Sequence, residues 1–100
     1  MTENTRMLQG TRADLYEAYE EGTLYDYLEE ALDWRYTISA TGDYHGCEIA
    51  LALGGPGIYL ATRRRSLDLY WGGEESHLSV ASEVCDEIDE IMQEYYEMTR

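Results

Sequence analysis

Alternation of apolar and polar residues between Tyr44 and Trp71 is the feature that most restricts how this chain can fold. Residues two apart in a strand point to the same face of a sheet. Gly54-Gly55-Pro56-Gly57 interrupts the pattern as a turn, because glycine reaches positive φ and proline cannot donate to a ladder. The pattern therefore predicts three antiparallel strands that share one apolar face. The residues assigned to this face are Cys47, Ile49, Leu51, Leu53, Ile58, Leu60, Leu67, Leu69 and Trp71.

A further strand is predicted before this region. Alternation from Trp34 to Ala40 is typical of a strand, and Thr41-Gly42-Asp43 forms the turn into the next one. Gly46 is a candidate β-bulge. Gly72 to Glu75 is expected to leave the sheet. The sequence thus predicts a four-stranded antiparallel β-meander.

Three helices are predicted around the meander. Residues 1–10 are expected to form a frayed leader, and a first helix should run from Arg12 to Glu21, ended by Gly22. A second helix follows Thr23. Its apolar stripe comprises Leu24, Tyr27, Leu28, Ala31 and Leu32.

The clearest amphipathic segment is the closing helix, expected at about Val80 to Met98 and packed across the apolar face of the sheet. The predicted fold is a single α+β domain over residues 1–100, with the order α-α-β-β-β-β-α. The apolar stripe of the closing helix comprises Ala81, Val84, Ile88, Ile91, Tyr95 and Met98.

The charge balance is the strongest functional indication. The chain has 21 Asp and Glu against seven Arg and no Lys, for a net charge of −14. Such a density costs stability through self-repulsion. It is explained either by solubility or a halophilic habitat, or by a basic partner such as a protein that binds nucleic acid.

The acidic side chains lie at helical spacing opposite the apolar stripes. Carboxylates one turn apart lie about 6 Å from each other, comparable to two base-pair steps, and like-charge pairs at this spacing are unfavourable. A row of them can imitate phosphates, although a solvated face and a cation site are the alternatives. The predicted partner-binding acids are Glu83, Asp86, Glu90, Glu94 and Glu97, with Glu87 and Asp89 on the flanks, and Glu29, Glu30 and Asp33 on the second helix.

Other side chains suggest a second kind of contact. Tyr70 is predicted to point away from the core with Tyr59, where both form a contact patch or are partly covered by the first two helices. Arg63-Arg64-Arg65 is interpreted as a solvated turn or as a source of internal ion pairs, rather than a nucleic-acid contact.

The sequence contains no recognisable catalytic or metal-binding motif. Cys47 and Cys85 are interpreted as buried thiols, and neither they nor His45 and His77 have zinc-ligand spacing. We expect no enzymatic activity, metal or cofactor. An apolar run of the roughly 20 residues that span a bilayer is also lacking, so no membrane association is expected. Two cysteines and no secretory signal favour a reducing compartment, and a cytoplasmic location is expected.

Four segments carry a likeness to known proteins: Leu24 to Asp33, Gly54-Gly55-Pro56-Gly57-Ile58-Tyr59, Leu69-Tyr70-Trp71 and the Glu-Ile-Asp-Glu-Ile helix. Together they resemble a group of small acidic proteins from plasmids and phages of Gram-positive bacteria, some of which are anti-CRISPR proteins directed at Cas9. The similarity extends over about residues 11–97. The resemblance implies an inhibitor that binds a CRISPR effector. We also expect that the protein acts in the bacterial host cell, makes no direct contact to nucleic acid and is a monomer or a homodimer.

Two alternatives remain at this point. The chain could be a regulatory or oligomeric interaction module of a mobile element that uses Tyr59, Tyr70 and Trp71. It could also inhibit another nucleic-acid-binding enzyme by DNA mimicry.

Overall fold

A computed structural model of the protein describes residues 3–99, which form three helices and a five-stranded antiparallel sheet. The strands follow one another in sequence order from one edge of the sheet to the other. The α+β prediction is confirmed, with one strand more than the sequence predicted. The elements are α1 (Glu3–Glu21), α2 (Leu24–Glu29), β1 (Asp33–Ile38), β2 (Tyr44–Ala52), β3 (Gly57–Ala61), β4 (Ser66–Trp71), β5 (Glu74–Ser79) and α3 (Ser82–Thr99).

The additional strand is β5, which was expected to be a connection to the closing helix. Gly72 and Gly73 both have positive φ and form the two-residue turn of a hairpin with β4. β5 pairs with β4 along its whole length but contains only one apolar side chain, Leu78. A strand at the edge of a sheet needs little apolar surface. The polar sequence of β5 therefore lacks the alternation by which the other strands were predicted.

Two helix boundaries also differ from the prediction. Residues 3–10, expected as a frayed leader, form the first half of α1, where Asn4 and Leu8 are buried. Residues 1 and 2 of that leader lie outside the described residues. α2 ends at Glu29, and Leu32 already donates its N–H to the carbonyl of Ala50 at 3.0 Å. The predicted stripe of α2 is therefore wrong at Leu32, which is exposed.

Two bulges set which side chains of β2 face inward. The pairing with β1 shifts at Gly46, as predicted, and a Cβ at this residue would collide with the side chain of Arg63. The pairing with β3 shifts between Ala50 and Ala52. This second bulge reverses the alternation, so Leu53 is 52% exposed instead of buried. Trp71, also expected in the core, ends β4 with 46% of its surface exposed.

One core joins the sheet to all three helices. Its central row crosses the strands through Trp34, Ile49, Leu60, Leu67 and Leu78. α1 packs against β4 and β5, and α3 packs against β2. The apolar side chains of the helices that complete this core are Leu8, Leu15, Leu24, Leu28, Val84, Ile88 and Met92.

The helices therefore cover one face of the sheet, and we call α1, α2 and α3 together the helical layer. Side chains from alternate strand positions form the other side, which we call the open face. No helix within residues 3–99 covers it. Its principal side chains are Asp33, Arg35, Glu48, Tyr59, Asp68, Tyr70, Glu75 and His77.

Candidate protein-binding surface

Charge is divided unequally between the two layers. The three helices contain fourteen of the 21 carboxylates and two of the seven arginines, so they account for −12 of the net charge of −14. Both arginines already have partners. Arg6 lies 3.9 Å from Glu3, while Arg12 donates to the carbonyl of Ser79 and lies over the ring of Tyr16. Little positive charge in the helical layer is thus left to offset the acids.

The outward side of α3 carries the longest row of carboxylates. Val84, Cys85, Ile88 and Met92 are buried on the opposite side, so the helical period places the acids toward solvent. From first to last, the row extends about 21 Å at 1.5 Å per residue. We call these five exposed side chains the acidic ridge: Glu83, Asp86, Glu90, Glu94 and Glu97.

The two flanking acids of α3 are only partly available. Glu87 and Asp89 are half-buried. The hydroxyl of Tyr44 donates to Oδ1 of Asp89 at 2.7 Å, which connects α3 to β2. Burial first, together with hydrogen bonds to Cys47 and Asp89, raises the pKa of the Tyr44 phenol above its ordinary value. Asp89 therefore has a structural role, separate from the binding role predicted for it, and its helical spacing does not indicate this pair.

Glu29 lies near the C-terminal turns of α3. The rings of Tyr25 and Tyr95 stack with centroids 5.6 Å apart, which brings α2 against the last turns of α3. The pKa of the Tyr95 phenol is raised, first by a hydrogen bond with Tyr25, then by burial and the neighbouring Glu29 carboxylate. Glu29 thus lies close to Tyr95, in the last turns of the helix that carries the acidic ridge.

Glu30 lies in a separate acidic recess between α1 and α2, with a volume of about 370 Å³. Thr23 and Tyr27 contribute to its wall, and burial followed by the charge of Asp14 raises the pKa of the Tyr27 phenol. The recess is open to solvent and its charge suits a cationic side chain of a partner. The other carboxylates that line it are Asp14, Glu17, Glu21 and Asp26.

The remaining two predicted binding residues belong to the open face. Asp33 is the first residue of β1, not part of α2, and lines a shallow groove with Leu53 and Tyr59. Tyr70 is 40% exposed and lies 5.9 Å from Tyr59 between ring centroids. The structure therefore divides the predicted binding residues between two opposite surfaces.

The polar centre of the open face is formed by Asp68 and was not predicted from the sequence. Asp68 is 1% exposed. Its carboxylate accepts hydrogen bonds from Ser66 at 3.0 Å, from Nδ1 of His77 at 2.7 Å and from Arg64. Burial alone would raise the pKa of Asp68, but the bonds from His77, Arg64 and Ser66 outweigh it and hold the pKa below its ordinary value. The signal that could have predicted this cluster is the position of Asp68 directly opposite His77 in the β4–β5 hairpin.

Arg64, in the arginine turn, forms internal ion pairs. Its guanidinium pairs with Asp68 and lies 3.8 Å from Glu48, so its internal partners are on the sheet and not on the helices. Those partners raise the pKa of Arg64 further, the Asp68 hydrogen bond first.

The thiols are free and buried. Burial raises the pKa of Cys47, and it raises that of Cys85 to about 11. Both are therefore protonated at neutral pH and weak nucleophiles. Within residues 3–99, no three His, Cys, Asp or Glu side chains converge closely enough to hold a metal ion.

Comparisons of the chain with protein-family models, with curated proteins and with solved structures found no significant match. Among the described residues, no helix is both long enough and apolar enough to cross a membrane.

Proposed function

We propose that this protein is a stoichiometric inhibitor that binds a CRISPR effector, with Cas9 as the first candidate, in the cytoplasm of a bacterial host. It occupies a basic surface that otherwise holds guide RNA or target DNA, and it performs no catalysis. The acidic ridge of α3, with Glu29 near the last turns of that helix, is the observation that carries this proposal.

The dimensions of the ridge suit this role. Its length of about 21 Å corresponds to roughly six base-pair steps of DNA. Effector proteins hold their nucleic acids in positively charged channels and recognise the PAM with arginines. A negative layer accelerates association with such a channel and aligns the encounter.

The choice of Cas9 depends on the sequence resemblance described above. The helical layer alone suits any enzyme with a basic nucleic-acid channel, so DNA mimicry against another enzyme is a neighbouring form of the same proposal. Inhibition of Cas9 and of an unrelated DNA-binding nuclease, measured side by side, separates the two.

The decisive experiment changes the sign of two ridge charges. Asp86→Lys with Glu90→Lys should weaken inhibition of DNA cleavage at least about tenfold, because close charge pairs couple strongly across interfaces. The matched control is Glu74→Lys with Glu75→Lys on β5, which has the same net charge. Full inhibition by the ridge variant, with both variants folded, contradicts the proposal.

Order of addition identifies the step that is blocked. The protein is added to Cas9 before the guide RNA, after the guide RNA, or after the target DNA. Loss of inhibition in the second arm indicates competition with guide RNA, whereas loss only in the third indicates competition with target DNA.

The Tyr59–Tyr70 pair on the open face favours a second candidate, a non-enzymatic interaction or regulatory module of a mobile element. Salt distinguishes the two candidates. Binding through the ridge should weaken steeply as ionic strength rises, since exposed charges are screened, whereas binding through aromatic rings should persist.

A further inference from the structure

We propose that the open face binds the open face of a second copy of this chain, giving a weak homodimer with its two helical layers on the outside. This inference does not depend on the identity of the inhibited enzyme.

Charge favours this arrangement over contact between helical layers. The open face has four carboxylates, Asp33, Glu48, Asp68 and Glu75, against the guanidiniums of Arg35 and Arg64. Asp68 already has three hydrogen-bond donors. The helical layer, by contrast, carries a net charge of −12. The face without helices is therefore the surface that a second copy can approach with the least repulsion.

The geometry of stacked sheets separates the two acidic layers. Sheets pack about 10 Å apart, and a helix with its side chains adds about 10 Å on each outer side. The acidic surfaces of the two copies would thus be about 30 Å apart, several times the Debye length of about 8 Å at physiological salt. Repulsion between them is largely screened in this dimer.

The contact area predicts a weak association. Five strands about 4.8 Å apart and about 20 Å long give a face of roughly 500 Å². Two such faces bury about 1,000 Å² in total, at the lower limit of specific interfaces, so a micromolar dissociation constant is expected.

The centre of the face is already ordered in the single chain. Tyr70 lies between Tyr59 and His77, with ring centroids 5.9 and 6.5 Å away. His77 and Arg64 are both fixed by Asp68. An ordered aromatic centre loses little conformational entropy on binding and is the usual composition of an interface hot spot.

Sedimentation velocity of the full chain, from low micromolar to several hundred micromolar, tests the proposal. The wild-type protein should change from monomer to dimer over this range. Tyr70→Arg should raise the dissociation constant at least about tenfold, as expected for a lost aromatic anchor. Tyr25→Arg is the matched control, because Tyr25 is 46% exposed on the helical layer and Tyr70 is 40% exposed. It should leave the constant within about twofold.

Salt and a second variant complete the design. Raising the ionic strength from about 0.01 M to about 0.15 M should strengthen the dimer, because the Debye length falls from about 30 Å to about 8 Å and repulsion between the two acidic layers becomes screened. If Tyr70→Arg fails to fold, as judged by circular dichroism, Tyr70→Ser takes its place. A monomer at every concentration, a dimer disrupted by Tyr25→Arg but not by the Tyr70 variants, or a dimer weakened by salt overturns the proposal.

Discussion

Nδ1 of His77 lies 2.7 Å from the carboxylate of Asp68, directly across the β4–β5 pair. The Asp68 carboxylate is buried, although it lies on the open face of the sheet. Asp68 is stabilised there by donors from its own strand, from the preceding turn and from the edge strand β5. The edge strand is therefore held to the sheet by side chains as well as by its backbone ladder.

Replacement of Asp68 by Asn should destabilise the fold. Asn cannot accept all three hydrogen bonds, and hydrogen bonds to charged groups contribute about 1.5–3 kcal/mol. We expect the free energy of unfolding to fall by about that amount in urea titrations at pH 7. Asp43→Asn, which changes an exposed carboxylate in a turn, is the control and should have a smaller effect.

The same carboxylate predicts acid sensitivity. The folded-state pKa of Asp68 is below its ordinary value, so its stabilising contribution is present above about pH 4 and is lost as the pH falls through that lowered pKa. The difference in unfolding free energy between wild type and Asp68→Asn should therefore shrink below about pH 4. A constant difference from pH 7 to pH 2 would show that the charge of Asp68 is not the cause.

Leu8→Ala should destabilise the protein by about 2–5 kcal/mol, the usual cost of removing a buried leucine side chain. Leu8 is 1% exposed within the segment that the sequence suggested was frayed. Leu32→Ala is the control, since Leu32 is 59% exposed. Thermal unfolding of both variants checks the prediction, and equal melting temperatures would contradict the packing of α1.

Glu90→Gln should stabilise the protein at low salt. Glu90 lies one turn from both Asp86 and Glu94 on the exposed side of α3, and each like-charge pair costs about 0.2–0.5 kcal/mol. The gain should disappear in high salt. If the variant is not stabilised at low salt, the ridge charges do not repel one another as proposed.

Neither thiol should react readily in the folded state. Cys47 and Cys85 are buried, and their pKa values are raised by that burial. Labelling with a chromogenic disulfide reagent should be slow at pH 7 and become complete in denaturant. Rapid labelling of one thiol without denaturant would show that the core opens locally.

The sequence predicted most of the fold because period-2 alternation and helical stripes are local signals. It missed β5, whose polar residues at the sheet edge give no alternation. It also misplaced Leu53, because a bulge whose position depends on pairing with β3 reverses the side-chain direction. Both errors arise from tertiary context.

The acidic ridge was predictable for the same reason, since all of its residues lie on one helix. The pairing of Tyr44 with Asp89, 45 residues apart, and the environment of Asp68 depend on which strands become neighbours. Spacing within one element cannot reveal either of them.

The unequal division of charge between the layers also gives the molecule a permanent electric dipole. Its negative end is the helical layer, and its less negative end is the open face, where Arg35 and Arg64 offset part of the charge of the carboxylates. In the field of a basic surface, such a molecule rotates before it touches. The helical layer is thus turned toward the basic surface during diffusion, and a larger fraction of collisions occurs in this orientation.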